Sequence, residues 1–347
     1  MPLPFLSVVI PCRNEVRFLA RCLDSILAGG YPAGRMEVLV VDGGSSDGTR
    51  ELIEERAQAD LRVRLIDNPQ GTTPWALNHG IAAARGDIVA RVDAHAAVAA
   101  DYFTLCVAHL ESSGADNVGG TMRTLPRDMG LFAGPIVAAL GHRFGVGNSY
   151  FRIGSREPRW VDTVFGGCWR RDVFQRVGKF NTDLRRSQDM EFSLRLKAAG
   201  GRTLLVPEVC SDYYARSRLG SFVRHNFSNG EWAVLPFIYS DVIPVSLRHL
   251  IPLLFALSLL AGATLFAWTP WLLAAVCIPY TLANLAASMD VARKLNVPGY
   301  VLSMPPVFFL LHASYGLGSI VGVLRAASAS WQRKRTVLKE GPCIPRH

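Results

Sequence analysis

A short apolar run that ends in a carboxylate constrains the fold of this chain more than any other stretch. Val38–Val41 is unbroken and rich in β-branched residues, which is typical of a parallel strand covered on both faces. It ends at Asp42, and glycines, serines and Asp47 follow before a helical pattern begins at Thr49. Because open α/β sheets bind ligands at the carboxyl ends of their strands, Asp42 is predicted to lie at a ligand site. The alternative is a plain strand-to-helix loop with Asp47 or Thr49 as the helix N-cap.

The same alternation of strand and helix continues through the first third of the chain. Ser7–Ile10, Val63–Ile66 and Ile88–Val92 are further predicted strands, and segments with helical spacing separate them. This alternation predicts an α/β fold with a doubly wound, mostly parallel sheet. The fourth predicted strand ends at Asp93, so a second carboxylate is expected at the edge where Asp42 lies.

The following segments are less regular. Residues 119–159 are rich in glycine, which indicates a loop-and-helix insert over the ligand site. A strand with close backbone approach is expected at Val164–Trp169 because two glycines lie within it. A helix is predicted to open at Ser187, and Arg202–Val206 is predicted to be a strand.

Three apolar stretches occupy the C-terminal third. Leu250–Trp268 and Trp271–Met289 each contain 19 residues without a charge, close to the roughly 20 apolar residues that a spanning helix needs. Tyr300–Leu324 is longer, but it contains Pro305 and Pro306, so it is predicted either to span a membrane or to re-enter it. A buried core helix is the alternative for each stretch.

The distribution of charge supports a membrane more than a nucleic acid. The net charge is +9, but the residues from Arg248 onward hold nine Lys/Arg against two acidic residues, and the first 247 residues are nearly neutral. Basic residues beside apolar segments are typical of membrane flanks. The seven cysteines are scattered without a Cys-x-x-Cys pair, which predicts reduced thiols in the cytosol and argues against a disulfide framework or a zinc site.

Five motifs occur in a fixed order along the first two thirds of the chain. They are Pro11-x-x-Asn14-Glu15, Asp42-Gly43-Gly44-Ser45-x-Asp47-Gly48-Thr49, Asp93-x-His95, Gly166-Gly167 and Gln188-Asp189-x-Glu191. This set resembles the inverting family 2 glycosyltransferases, which have the A-type nucleotide-sugar fold. The resemblance covers about residues 5–235. Together with the C-terminal apolar stretches, it is most similar to transferases of the succinoglycan exopolysaccharide type.

The resemblance implies a nucleotide-sugar donor, with a UDP-sugar expected. The family residue that matches Asp42 accepts hydrogen bonds from the nucleotide base, and Pro11, Arg13 and Glu15 are expected to line the same pocket. A carboxylate at a strand end can accept a hydrogen bond from the imide N–H of uracil.

The resemblance also implies a divalent cation. Asp93 matches the first residue of the family's Asp-x-Asp motif, which holds a metal ion on the donor diphosphate, and His95 replaces the second carboxylate. Asp93 and His95 are therefore the expected metal ligands. Because imidazole suits Mn²⁺ better than Mg²⁺, the sequence leaves the choice between Mn²⁺ and Mg²⁺ open. A solvated loop histidine is the alternative for His95.

Asp189 matches the family's general base. Direct displacement at the anomeric carbon needs a base on the acceptor hydroxyl, on the face opposite the leaving group. The family usually has Glu-Asp at this position, whereas this chain has Gln188-Asp189. The alternative is an N-terminal helix residue favoured by the helix dipole. Contacts to the acceptor or the diphosphate are further expected from Gly166, Gly167, Glu191, Arg224 and Trp232.

These observations predict four regions: a cytosolic catalytic domain at 1–235, a membrane-interface connector at 236–249, two or three transmembrane helices at 250–325 and a basic tail at 326–347. The expected function is inverting transfer of a sugar to a lipid-linked oligosaccharide at the inner (plasma) membrane, in cell-surface or exopolysaccharide synthesis, with no nucleic acid as a partner. A third full span would place Arg333–Arg335 outside, against the positive-inside tendency. Two alternative functions are direct transfer onto polyprenyl phosphate and a non-catalytic, nucleotide-binding membrane scaffold.

Overall fold

The computed structural model describes residues 3–235 and 247–340, with the side chains of 247, 248 and 329–340 excepted. Most of the predicted connector and basic tail lies outside the residues whose side chains are described. The chain divides by internal contacts into two units. The first comprises the residues up to Met129 together with Leu140–Ser217, and the second comprises Gly130–Ala139 and the residues from Arg218 onward.

The first unit is built on one mixed sheet. Its strands are β1 (Leu6–Cys12), β2 (Met36–Asp42), β3 (Val63–Asp67), β4 (Ile88–Arg91), β5 (Ala96–Val98), β6 (Asn117–Pro126), β7 (Arg159–Val161), β8 (Cys168–Arg170) and β9 (Thr203–Ala215). Their order in the sheet is β3-β2-β1-β4-β8-β6-β9-β5, with β7 paired to β9. Strands β3, β2, β1 and β4 are parallel neighbours, as predicted. The other half of the sheet is mixed: β8 runs antiparallel to β4 and β6, while β6 and β9 are parallel.

Helices of the first unit cover both faces of this sheet. The helices of that unit are α1 (Val16–Leu27), α2 (Thr49–Ala59), α3 (Thr73–Ala83), α4 (Tyr102–Ser113), α6 (Arg143–Val146), α7 (Tyr150–Ile153), α8 (Val173–Arg176) and α9 (Gln188–Ala198), while α5 (Ala133–Leu140), apart from its last residue, and α10 (Leu219–Val234) belong to the second unit. Alternate residues of β2 face opposite ways, so Val38 and Val40 pack with α1, α2 and α4, while Leu39 and Val41 pack with α3 and α9. The predicted α/β fold with two covered faces is confirmed.

The structure corrects the expectation of an irregular insert from residue 119. β6 runs for ten residues and pairs with β9, which extends nine residues past the predicted end at Val206. The register shifts between Gly120 and Thr121, and a Cβ at Gly120 would lie 1.6 Å from the carbonyl oxygen of Val209. Glycine is therefore required at this bulge. The strand predicted at Val164–Trp169 begins only at Cys168.

The C-terminal helices are α11 (Leu247–Thr264), α12 (Pro270–Leu295) and α13 (Tyr300–Glu340). In the described part of the chain, two segments are long and apolar enough to cross a membrane: Pro270–Leu295 and Tyr300–Ser328. The predicted span at Leu250–Trp268 is shorter than expected, because α11 ends at Thr264.

The third apolar stretch, which was expected to re-enter or span, is one continuous helix through Pro305 and Pro306. The prolines remove backbone donors near its start. Tertiary contacts compensate, because Met304, Val307 and Phe308 are fully buried and the amide of Asn284 donates to the carbonyl of Pro305 at 3.0 Å.

Helices α10 and α13 approach each other at glycines. A Cβ at Gly230 would lie 1.9 Å from the carbonyl oxygen of Tyr315, and a Cβ at Gly318 would lie 1.9 Å from that of Phe227. Glu231, which is nearly buried, forms an ion pair with Arg325 beside this contact. Small residues at a helix crossing allow close backbone approach, so this pair of helices forms a tightly packed element of the second unit.

Candidate active site

Two neighbours of β1 deliver carboxylates beyond their carboxyl ends. Asp42 is the last residue of β2, opposite Cys12 of β1. β4 ends at Arg91, which pairs with Val9, and Asp93 follows two residues later. Because these strands are parallel, the two carboxylates lie at the same edge of the sheet, as the sequence predicts.

The carboxylate of Asp42 is almost fully buried and organises the loop that follows it. Its Oδ1 accepts a hydrogen bond from the hydroxyl of Ser45 at 2.5 Å, and its Oδ2 accepts one from the backbone N–H of Ser45 at 3.2 Å. The guanidinium of Arg50 lies 3.7 Å from Oδ2. The predicted contact between Asp42 and the nucleotide base stays a prediction.

The first two motifs are joined by reciprocal hydrogen bonds. The backbone N–H of Asn14 donates to the Ser45 hydroxyl, and the Asn14 side chain accepts from the N–H of Ser46, both at 2.9 Å. Arg13 donates to the carbonyl of Gly71 at 3.1 Å. Pro11 lies within β1 beside this loop. The residues predicted to line the nucleotide pocket therefore share one edge.

Arg91 links the two carboxylates to which the sequence assigns different tasks. Its Nε and Nη2 both lie 2.9 Å from Oδ1 of Asp93, and its Nη1 contacts Oδ1 of Asp189. Arg91 is nearly buried, and the side chain of Asp189 is 45% exposed. Asp189 lies in the first turn of α9, and the chain brings it to Arg91 across 98 residues.

This arrangement shifts the two carboxyl pKa values in opposite directions. Burial pushes the pKa of Asp93 upward, but the charges of Arg91 and His95 and the hydrogen bond from Arg91 outweigh it, so the pKa lies below its usual value. Desolvation raises the pKa of Asp189, and together with the charge of Asp93 it outweighs the lowering by Arg91. Two carboxyl groups with diverging pKa values in one site are typical of separate catalytic tasks.

Glu15 connects the first motif to the third. Its Oε1 lies 3.1 Å from Nδ1 of His95, and its Oε2 accepts from Arg127 at 2.8 Å. Burial alone would raise the pKa of Glu15. Hydrogen bonding and the charges of His95 and Arg127 lower it by more than burial raises it, so the pKa of Glu15 lies below its usual value. The ring of His95 also packs against Tyr213, with centroids 5.0 Å apart.

The glycine pair holds the backbone of Arg91. Gly166 and Gly167 have positive φ angles of 68° and 109°, and the carbonyl of Gly167 accepts from the N–H of Arg91 at 2.9 Å. A Cβ at Gly166 would lie 2.7 Å from the carbonyl oxygen of Arg91. Their position beside the two carboxylates is compatible with the predicted diphosphate or acceptor contact, which stays a prediction.

Three other predicted residues lie elsewhere. Glu191 is buried and bound to Arg195, whose guanidinium also donates to the carbonyls of Val177 and Lys179. Its surroundings favour a role in anchoring α9. Arg224 and Trp232 lie on α10 in the second unit, so the first unit does not by itself contain them.

The residues predicted to bind a metal ion fit that role in part. Among the described residues, no three His, Cys, Asp or Glu side chains form a metal-binding group. However, Arg91 contacts only Oδ1 of Asp93, so Oδ2 lies outside that ion pair. If Nδ1 of His95 donates to Glu15, Nε2 carries the lone pair, which is the usual arrangement of a metal-ligating histidine. Asp93 and His95 can therefore supply two ligands of a metal ion, and oxygens of the nucleotide-sugar diphosphate and water would supply the others.

The comparisons with known proteins agree with this geometry. The model of the family described as Glycosyl transferase family 2 matches residues 7–178, which contain the first four motifs. The chain therefore belongs to glycosyl transferase family 2. As a family 2 member it is a glycosyltransferase, and its sheet and helices have the A-type fold.

Two curated relatives match this family 2 chain over most of their length. Succinoglycan biosynthesis protein ExoA of Rhizobium meliloti is 29% identical over 282 residues, covering 79% of this chain and 83% of that protein. A dolichyl N-acetyl-alpha-D-glucosaminyl phosphate 3-beta-D-2,3-diacetamido-2,3-dideoxy-beta-D-glucuronosyltransferase of Methanococcus voltae is 25% identical over 93% of this chain and 98% of that protein.

A solved structure supports the fold. A mannosyltransferase from Pyrobaculum calidifontis, determined in complex with GDP-mannose and Mn²⁺, has a TM-score of 0.58 at 22% sequence identity. The match covers 92% of this family 2 chain and 87% of the mannosyltransferase.

Sequence reasoning missed two arginines of the site. Arg91 lies inside an apolar strand pattern, and Arg127 follows β6 in the stretch expected to be irregular. Their acidic partners are 98 and 112 residues away in the chain. The sequence signal for Arg91 was its position two residues before Asp93, the carboxylate at the strand end.

Proposed function

We propose that this glycosyltransferase moves a sugar from a UDP-sugar to a lipid-linked saccharide with inversion at the anomeric carbon. The observation that carries the proposal is the bridge from Asp93 through Arg91 to Asp189, which sets a carboxylate of lowered pKa beside one of raised pKa. The names of the succinoglycan and dolichyl-phosphate-linked relatives support a polysaccharide or lipid-linked product.

In this proposal the two carboxylates act on opposite sides of the anomeric carbon. Asp189 accepts the proton of the acceptor hydroxyl as its oxygen attacks that carbon. Asp93 and His95 would hold a divalent cation, which would supply Lewis-acid stabilisation of the negative charge on the departing diphosphate. The Mn²⁺ in the mannosyltransferase complex supports a divalent metal ion in this reaction, and the choice between Mn²⁺ and Mg²⁺ is part of the test.

The apolar C-terminal helices support a membrane location for the acceptor. Pro270–Leu295 and Tyr300–Ser328 are each long enough to cross a bilayer. A lipid-linked saccharide resides in that bilayer, so an anchored enzyme meets its acceptor at the membrane surface. We propose residues 1–235 as the cytosolic catalytic domain and the inner (plasma) membrane as the location of a multi-pass anchor.

The experiment is a donor and acceptor screen with full-length enzyme in detergent. UDP-glucose, UDP-galactose, UDP-N-acetylglucosamine and GDP-mannose are compared by release of nucleoside diphosphate. Each donor is supplied with polyprenyl-diphosphate-linked saccharides or with polyprenyl phosphate alone. A UDP-sugar with the saccharide acceptor is the expected pair, and NMR of the product should show an inverted anomeric configuration.

Three outcomes contradict the proposal. Turnover only with polyprenyl phosphate would favour direct loading of the lipid. Binding of UDP in calorimetry without turnover of any donor would favour a non-catalytic scaffold. A retained anomeric configuration would remove the role of Asp189 as base.

The proposed base is tested with Asp189→Asn, which should lose turnover. Asp172→Asn is its matched control, because Asp172 precedes a short helix of the first unit and is 60% exposed.

A further inference from the structure

The guanidinium of Arg91 is held in place by the sheet rather than by the two carboxylates alone. Arg91 is the last residue of β4, where it pairs with Val9 of β1, and its N–H donates to the carbonyl of Gly167 at 2.9 Å. Only a glycine fits at Gly166, because a Cβ there would lie 2.7 Å from the Arg91 carbonyl oxygen. The backbone that carries this guanidinium is therefore fixed on both sides.

Because Arg91 is buried, its charge needs ionic partners. The Arg91 side chain is only 9% exposed, and a buried charge is costly unless it is paired and hydrogen-bonded. Two of its nitrogens engage Asp93 and the third engages Asp189. A planar guanidinium with donors in a fixed fork can hold two carboxylates at a set separation, which an ammonium cannot do.

Arg91 contacts only one oxygen of each carboxylate. Arg91 binds Oδ1 of Asp93 and Oδ1 of Asp189, which leaves both Oδ2 atoms outside the ion pairs. Asp189 lies at the start of α9, and its side chain is 45% exposed, so its carboxylate is open to a ligand.

We propose that Arg91 is the positioning residue of this transferase, which fixes Asp189 by Oδ1 so that Oδ2 receives the proton of the acceptor. The inference rests on the proposed function. In the step, the acceptor oxygen bonds to the anomeric carbon, the bond from that carbon to the diphosphate oxygen breaks, and the acceptor proton passes to Oδ2 of Asp189. Arg91 acts through Asp189 and does not itself touch the donor.

The test compares Arg91→Gln and Arg91→Lys with a matched control. Arg62→Gln is that control, because Arg62 binds Asp60 two residues away through Nε and Nη2, is partly buried, and lies outside the site. Full-length enzyme in detergent is used with the best donor of the screen, and UDP without a metal ion is the calorimetric probe, because Arg91 also holds Asp93, the proposed metal ligand. Rates are measured as nucleoside diphosphate release.

A positioning role predicts a split between kcat and binding. Arg91→Gln should lower kcat about 100-fold, the size of loss expected from a misplaced catalytic group, while the affinity for UDP without a metal ion, which the proposal assigns to the Asp42 edge rather than to Asp93, stays within about threefold of wild type. Arg91→Lys should recover roughly tenfold of that loss, since an ammonium can hold one carboxylate but not bridge two. Arg62→Gln should leave kcat unchanged.

A double variant separates positioning from direct contact. In an Asp189→Asn background, Arg91→Gln should lower kcat by no more than about threefold further, because both changes disable the same group. The inference would be overturned if the loss of kcat in the double variant equalled the product of the two single losses. A large loss of UDP affinity or a wild-type kcat in Arg91→Gln would also overturn it. If Arg91→Gln does not fold, Arg91→Lys decides alone, and a kcat equal to wild type there overturns it. An active Asp189→Asn would contradict the proposed base instead.

Discussion

Nδ1 of His95 lies 3.1 Å from Oε1 of Glu15, and this contact determines which histidine nitrogen can bind a ligand. Hydrogen bonds and neighbouring positive charges hold the pKa of Glu15 below its usual value despite burial, so its carboxylate is ionised at neutral pH. An ionised carboxylate accepts a hydrogen bond from Nδ1–H, which leaves Nε2 with a lone pair. Glu15 thus orients His95, in addition to its predicted place in the nucleotide pocket.

We expect activity to depend on a divalent cation, with Mn²⁺ at least as effective as Mg²⁺. Imidazole favours Mn²⁺ over Mg²⁺, so His95→Asp should shift the preference toward Mg²⁺. The measurement is the initial rate of nucleoside diphosphate release against the concentration of each metal ion. His109→Ala on α4 is the control and should keep the wild-type profile. Full activity in excess chelator would exclude a metal role, and an unchanged profile in His95→Ala would exclude His95 as a ligand.

We expect Asp42→Ala to weaken UDP binding while Asp189→Asn leaves it within about threefold. Loss of a hydrogen bond to a charged group costs about 1.5–3 kcal/mol, which corresponds to roughly a 10- to 150-fold weaker affinity. Calorimetry with UDP and Mn²⁺ measures this. Ser45→Ala is the control, because it removes the 2.5 Å hydrogen bond to Asp42 but keeps the carboxylate. Equal losses in Ser45→Ala and Asp42→Ala would mean that Asp42 acts by organising its loop.

We expect Glu37 to make stability depend on pH. Burial raises its pKa, but hydrogen bonds from Ser7, the N–H of Arg85 and Arg64 outweigh burial and lower it. A pKa lowered in the folded state contributes stability above the unfolded value, about 4.3, and that contribution is lost as pH falls below it.

Glu37→Gln should therefore lower the free energy of unfolding by about 2 kcal/mol at pH 7, and the difference should shrink below about pH 4. Thermal unfolding of the full chain in detergent at several pH values checks this. Glu54→Gln, at a half-exposed ion pair with Arg50, is the control and should have little effect. A difference that stays constant with pH would contradict the assignment.

We expect Gly318→Ala to destabilise the packing of α10 on α13. The new methyl group would meet the carbonyl oxygen of Phe227, and such overpacking typically costs about 1–3 kcal/mol. Gly220→Ala is the matched control, because Gly220 is a helical glycine of α10 with no atom within 4 Å of its Cβ position. That control should be neutral or stabilising by up to about 1 kcal/mol. Thermal unfolding of the full chain in detergent, measured for both variants and the wild type, distinguishes the two.

The sequence predicts the parallel half of the sheet well because its signals are local. Val38–Val41 is an apolar run bounded by turn residues, and Ile88–Val92 has the same pattern interrupted only by Arg91. The carboxylates at Asp42 and Asp93 follow from where those runs stop. Family resemblance then indicates which chemistry the edge supports.

The mixed half of the sheet could not be predicted in the same way. β6 and β9 pair across more than 80 residues, and the bulge at Gly120 interrupts their register. A local pattern does not report such pairings, so β6 looked irregular and β9 looked short. The contacts that join Arg91 to Asp189 and Arg127 to Glu15 have the same character, since each pairs residues about a hundred positions apart.

The glycine contact between α10 and α13 has a consequence for how the chain is made. Phe227 on α10 is synthesised about ninety residues before Gly318, the residue that fits against it. Throughout that interval the nascent chain carries α10 without the contacting part of α13, and Glu231 lacks its ion-pair partner Arg325. The packing of α10 on α13 therefore forms only after Gly318 has been synthesised, so a chain released before that point carries α10 without this partner.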